Sequence, residues 1–175
     1  MKKLSLVMIA VACVLAVGLT AEAQGPEKGY GQPNSNLGPP ANDACAAPIP
    51  IGCGDVVAFS TVGATVDGPP PTCGVGDNNE IWYEITGNGG DMTFSTCDDA
   101  DYDTRLVAHD GCGGAEVACN DDQAPCTGFT SIMTFTSVNA TVYSIGVGGF
   151  SGAVGSGNLT VTCDIPAELT SFDVE

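Results

Sequence analysis

The chain has 175 residues, with 21 acidic and 4 basic side chains, a formal charge of −17 and a single histidine. Phosphate binding needs clustered Lys and Arg, so this balance excludes nucleic acid as a partner. It equally disfavours anionic membrane surfaces.

The N-terminus reads as an export signal. Lys2 and Lys3 precede an apolar run from Leu4 to Leu19, and Ala21-Glu22-Ala23 fits the small-x-small cleavage pattern. The run falls short of the roughly 20 residues of a membrane span, so residues 1–23 are expected to leave as a signal peptide and no span is expected. Cleavage leaves Lys28 and Arg105 as the only cations. The expected location is secreted or at the cell surface of a bacterium.

Residues 24–40 are rich in Gly, Pro, Asn and Gln and read as a flexible linker. Residues 41–164 read as one folded domain and 165–175 as a tail. Within the domain the pattern has period two, with short Val, Ile, Thr, Phe and Tyr runs between Gly, Asp, Asn and Pro clusters. Strands are expected near 55–61, 80–86, 91–96, 104–109, 115–119, 130–137, 140–147 and 157–163. Phe129, Ser131, Met133 and Phe135 would share one face. No long stretch carries helical spacing. The fold expected is all-β: a two-sheet sandwich or jelly roll of about eight strands.

Cys45, Cys53, Cys73, Cys97, Cys112, Cys119, Cys126 and Cys163 remain after the signal is removed. An even number in a small exported domain reads as four disulfides. With no C-x-x-C pair and one histidine, a zinc site is a poor competitor. Pairing is not fixed by sequence. The working expectation joins Cys45 to Cys163 and adds Cys53–Cys73, Cys97–Cys112 and Cys119–Cys126.

The stretch 97–126 carries the chemistry. Asp101 and Asp103 precede one expected strand, and Asp121 and Asp122 follow the next. A hairpin of these two strands would bring the four carboxylates to one sheet edge. Calcium, which takes about six to eight oxygen ligands, would neutralise them. The alternative is a set of solvated turn-forming residues. The spacing is not that of an EF-hand loop.

Enzyme readings fare poorly. A triad would depend on His109, at an expected strand end. Glu80 and Glu84 flank Trp82 and Tyr83 on a strand suited to the core. The Gly-rich run 146–157 lacks the lysine of a phosphate loop. The chain is therefore read as no enzyme, with a hydrolase as the weakest alternative. Trp82, Tyr102 and Phe150 are the aromatics that could stack on a ligand, Trp82 having core packing as its competing reading.

NDACAAPIPIGCG at 42–54, STVGATVDGPPPTCG at 60–74, IWYEITGNGGDMTFSTC at 81–97, DYDTRLVAHDGCGGAEVACNDD at 101–122 and YSIGVGGFSGAVGSGNLTVTC at 143–163 together resemble extracellular β-sandwich repeats of bacterial exported proteins. These are similar in style to pre-peptidase C-terminal domains, and 101–111 resembles the strand of CUB domains that supplies a calcium ligand. The resemblance implies a jelly-roll accessory module without catalysis, Asp103 as a calcium ligand, and an extracellular polymer, glycan or protein as partner. A spacer or pro-domain that assists an exported neighbour is the second reading. Residues 166–172 resemble the opening strand of a further module, which makes the tail a relic or the start of a missing unit.

Overall fold

A computed structural model describes residues 38–164, apart from residues 69, 75, 77 and 78. The expected signal peptide, most of the linker and the tail lie outside the described residues. Nine strands form: β1 (Ile49–Pro50), β2 (Val56–Ser60), β3 (Ile81–Thr86), β4 (Asp91–Ser95), β5 (Thr104–His109), β6 (Glu116–Asn120), β7 (Ile132–Thr136), β8 (Val142–Gly149) and β9 (Ser156–Cys163). Eight match the strands expected from alternation. The ninth, β1, has two residues, too few to show a period, and pairs in parallel with β3. The only helical element among the described residues is a 3-10 turn at Phe150–Gly152.

A five-stranded sheet runs β1-β3-β8-β5-β6, and a four-stranded sheet runs β2-β9-β4-β7. The antiparallel pairs are nested: β2 with β9, β3 with β8, β4 with β7, and β5 with β6. Successive pairs alternate between the sheets, as when one long hairpin is rolled upon itself. This is the jelly-roll order, and the all-β two-sheet expectation holds.

Alternation decides which side chains meet between the sheets. Ile81, Tyr83 and Ile85 of β3 pack with Leu106 and Ala108 of β5 and with Tyr143, Ile145 and Val147 of β8. Met92, Phe94, Met133, Phe135, Leu159 and Val161 face them from the other sheet. Phe135 stacks on Phe94 at 5.9 Å and meets Tyr143 edge-on at 4.9 Å. Phe129 departs from expectation. It stands three residues before β7 with φ +59° and is 65% exposed, while Met133 and Phe135 point inward.

The outer face of the five-stranded sheet is also covered. There Cys45, Trp82 and Val107 form a second small cluster, with Cys119 against it. The cover is the segment joining β2 to β3. Gly68, at φ +103°, lies so close to Trp82 that a Cβ would stand 2.8 Å from the indole Cζ2. On the sheet side Gly146 leaves no room either, since its Cβ would stand 2.8 Å from Val107 Cγ1 and 3.1 Å from Trp82. Only glycine permits both approaches.

Eight cysteines form four bridges, but none joins the pairs expected. The bridges are Cys45–Cys112, Cys53–Cys163, Cys73–Cys119 and Cys97–Cys126, with Cα separations of 5.2 to 5.8 Å. Cys97–Cys112 fails because β5 lies between the two residues, and six extended residues span roughly 20 Å. Cys45–Cys163 fails because Cys45 packs on the outside of one sheet and Cys163 ends a strand of the other. Cys53–Cys73 fails because Cys53 enters β2 beside Cys163 while Cys73 rides on the covering segment. Cys119 faces outward beside Val107, toward that cover, so it meets Cys73 and not Cys126. Loops of 29 to 110 residues are closed this way. In the chain-entropy model each closure stabilises by roughly 3–5 kcal/mol.

Candidate functional site

The β5–β6 hairpin forms as the sequence suggests, with Leu106 opposite Asn120. Asp103, before β5, and Asp121 and Asp122, after β6, therefore reach the same sheet end. Burial, then the charges of Asp122 and Asp121, push the Asp103 carboxyl above its usual range, while Arg105 acts the other way. Burial and Asp122 likewise raise Asp121 against the pull of Arg105. Asp103 Oδ1 and Asp121 Oδ1 are buried without a hydrogen-bond partner.

Asp101 does not join them. Its Oδ1 accepts a 2.7 Å hydrogen bond from the Ser156 amide, which ties the β4–β5 connection to β9. The four-carboxylate group expected from spacing is thus reduced to three. Among the described residues, no three His, Cys, Asp or Glu side chains stand in a geometry that could hold a metal ion.

Beside these carboxylates lies a feature the sequence reading missed. Arg105 is the only Lys or Arg among the described residues, and it is 1% exposed. It projects from the outer face of the five-stranded sheet, opposite Gly148 of β8. Glu80, also 1% exposed, stands on the other side of Gly148, with its Cγ 2.8 Å from where a Gly148 Cβ would be. Burial pushes the Glu80 carboxyl up to about 8; Arg105 pulls it down and Asp67 of the cover pushes it further up. Gly74 at φ +73° closes the row from above, its Cβ position 2.9 Å from Arg105 Nη1 and 2.8 Å from Asp121 Oδ2. Glu80 Oε2 and Arg105 Nε and Nη2 have no hydrogen-bond partner. The signal available in the sequence was the solitude of Arg105: a lone cation in so acidic a domain is drawn to its carboxylates.

His109 is buried, not at the surface where a strand-end histidine was expected. Its Nδ1 lies 3.2 Å from the Gly114 carbonyl, which can only accept, so Nδ1 is the donor. The Trp82 ring lies 6.0 Å away. Neither His109 nor Glu80 opens to solvent.

The three candidate stacking aromatics fare differently. Trp82 is fully buried under the cover, so its core reading prevails and it presents no face to a ligand. Tyr102 is half-buried, edge-on to Phe59 at 6.3 Å. Its hydroxyl donates to the Gly148 carbonyl at 3.2 Å, and burial pushes the phenol up. Phe150 is half-buried, and its amide donates to the Asp103 carbonyl, which links it to the acidic edge. A shallow cavity of about 130 Å³ lies elsewhere, between Pro50, Ile51, Glu84, Thr86 and Val142. It is well below the size of a small-molecule site.

No family model, no curated protein and no solved structure matches the chain. The four bridges suit an oxidising environment. No helix among the described residues is long and apolar enough to cross a membrane.

Proposed function

We propose that this chain is a secreted bacterial accessory module, of the style of pre-peptidase C-terminal and CUB-like domains, that binds a partner outside the cell and performs no catalysis. The observation that carries the reading is the burial of Glu80 and His109. Glu80, beneath the segment stapled to the sheet by Cys73–Cys119, and the single histidine, His109, are 1% and 2% exposed. A general acid or base must come within hydrogen-bond reach of its substrate, and both side chains are almost wholly withdrawn from the surface. What the molecule offers outward is a rigid set of disulfide-pinned loops. A panel of extracellular matrix proteins and neutral glycans, screened alongside chromogenic esterase, glycosidase and peptidase substrates, tests this. Saturable binding without turnover is expected; turnover lost in Glu80→Gln or His109→Ala would overturn it.

Calcium at the β5–β6 edge is a second reading, and it rests on the orphaned oxygens of Asp103 and Asp121. Asp103 and Asp121 would supply the carboxylate ligands; Asp122 adds negative charge nearby, and Asp101 is committed to the Ser156 amide. The remaining ligands would be backbone oxygens and water, and Arg105 already supplies part of the neutralisation. An ion there would tie the ends of β5 and β6 together. Millimolar calcium should then raise Tm over a chelated sample, and Asp103→Asn should remove the rise. An identical Tm in calcium and chelator would end this reading.

A further inference from the structure

The β6–β7 connection presents an aromatic ring in a way that folding alone does not require. Phe129 has φ +59°, next to Gly128 at φ +67°. Left-handed backbone is ordinary for glycine but an outlier for a bulky side chain, at a cost on the order of 1–3 kcal/mol. The ring returns little through burial, since it is 65% exposed. Several groups around it are tied down. Cys97–Cys126 ties the middle of the connection to the segment that follows β4. Asp98 Oδ1 accepts from the Thr127 amide at 2.7 Å and from its hydroxyl at 2.6 Å. The Thr130 hydroxyl accepts from the Asp98 amide at 3.0 Å and donates to the Thr127 carbonyl at 2.8 Å. The Phe129 carbonyl accepts from Thr104, and the Thr130 carbonyl from Gln123. An exposed ring on so constrained a loop is already ordered for contact, which spares the entropy of fixing it on binding.

The surroundings select the partner. Asp98 borders the loop on one side through Thr127 and Thr130, and Asp122 on the other through Gln123; both are exposed. No exposed Lys or Arg exists among the described residues, because Arg105 is buried. The field over the ring is thus negative, and an aromatic face attracts cations through its quadrupole.

We propose that Phe129, flanked by Asp98 and Asp122, is a docking platform for a Lys- or Arg-bearing segment of a partner protein. This deepens the binding-module reading and rests on it. Charge complementarity would bring the segment in, and one cationic side chain would lie across the ring.

The test is titration calorimetry of the full chain with a decalysine peptide and with a neutral gluco-oligosaccharide. Chelator is present throughout, which keeps the Asp103–Asp121 edge out of the result. Binding of the peptide is expected, weakening steeply with salt. Phe129→Leu keeps apolar area but loses the quadrupole and should weaken binding at least about three-fold, while Phe129→Trp should tighten it. Phe129→Gly should raise Tm by relieving the backbone and weaken binding as Leu does. Peptide binding indifferent to Phe129, absence of peptide binding, or Phe129-dependent binding of the neutral sugar would each overturn the platform. The binding-module reading would survive any of these if the wider screen returned a ligand, and would fall only if that screen returned none.

Discussion

Arg105 and Glu80 face each other across Gly148, on the outer side of the five-stranded sheet and beneath its cover. A guanidinium and a carboxyl that holds its proton up to about pH 8 are thereby removed from water where alternation alone would have left them at the surface. Desolvation of such a pair is costly, and removing one partner leaves the other stranded. The sheet, the cover and the acidic edge are coupled through this row.

Loss of the cation should therefore be severe. Above about pH 8, where Glu80 ionises, Arg105→Met leaves buried Glu80 and partly buried Asp121 without their counter-charge and is expected to destabilise by about 3–5 kcal/mol. Glu80→Gln in the same chain should recover part of that loss. Denaturant unfolding of the two single variants and the double variant measures the coupling.

Glu80 fixes a pH dependence. Its folded value of about 8 lies above the ordinary 4.5, so the native state holds the proton more tightly than the unfolded chain. Its contribution to stability is complete below about pH 4.5 and is lost as pH rises through 8. The raised Asp103 and Asp121 carboxyls act in the same sense at lower pH. Melts from pH 4 to 9 should show Tm falling across this window. Glu80→Gln should flatten the slope and melt several degrees higher than the parent at pH 8; an unchanged slope would contradict the burial of Glu80.

Trp82 is the only tryptophan in the chain, so intrinsic fluorescence reports on the cover directly. Cys73→Ser with Cys119→Ser releases the segment that carries Gly68 and Gly74. Emission should shift to the red and become quenchable by iodide in the variant, with the parent remaining blue-shifted and protected.

Gly146 allows Trp82 and Val107 to meet over β8. Gly146→Ala puts a methyl into both and should cost about 1–3 kcal/mol through overpacking. The same substitution at Gly54, at φ +91° with open space around it, should cost less because only backbone strain is incurred.

Much of the fold was legible in the sequence because an antiparallel sheet writes its two faces as alternation. Met133 and Phe135, or Leu159 and Val161, announce an inward face two residues at a time. The meeting of Asp103 with Asp121 and Asp122 was legible for the same reason, since a hairpin returns its ends to one edge. The disulfides were not, because pairing follows which strands are neighbours in a rolled chain, and nearness in sequence carries little of that. Trp82 was legible as a core residue, but the burial of Glu80 and Arg105 beside it was not, for one reason. Alternation assigns them to an outer face, and only the path of the β2–β3 connection turns that face into an interior. Phe129 was placed on a strand because it continues the period of Ser131, Met133 and Phe135; the Gly128–Phe129 turn interrupts it.

The account depends most on the rolled hairpin that brings Cys45 to Cys112, Cys53 to Cys163, Cys73 to Cys119 and Cys97 to Cys126. Non-reducing proteolysis with mass spectrometry of the linked peptides measures those pairs. Recovery of these four bridges is the expected result. Peptides joining Cys45 to Cys163, or Cys97 to Cys112, would contradict the topology and with it the cover, the buried charge row and the pinned Phe129 loop.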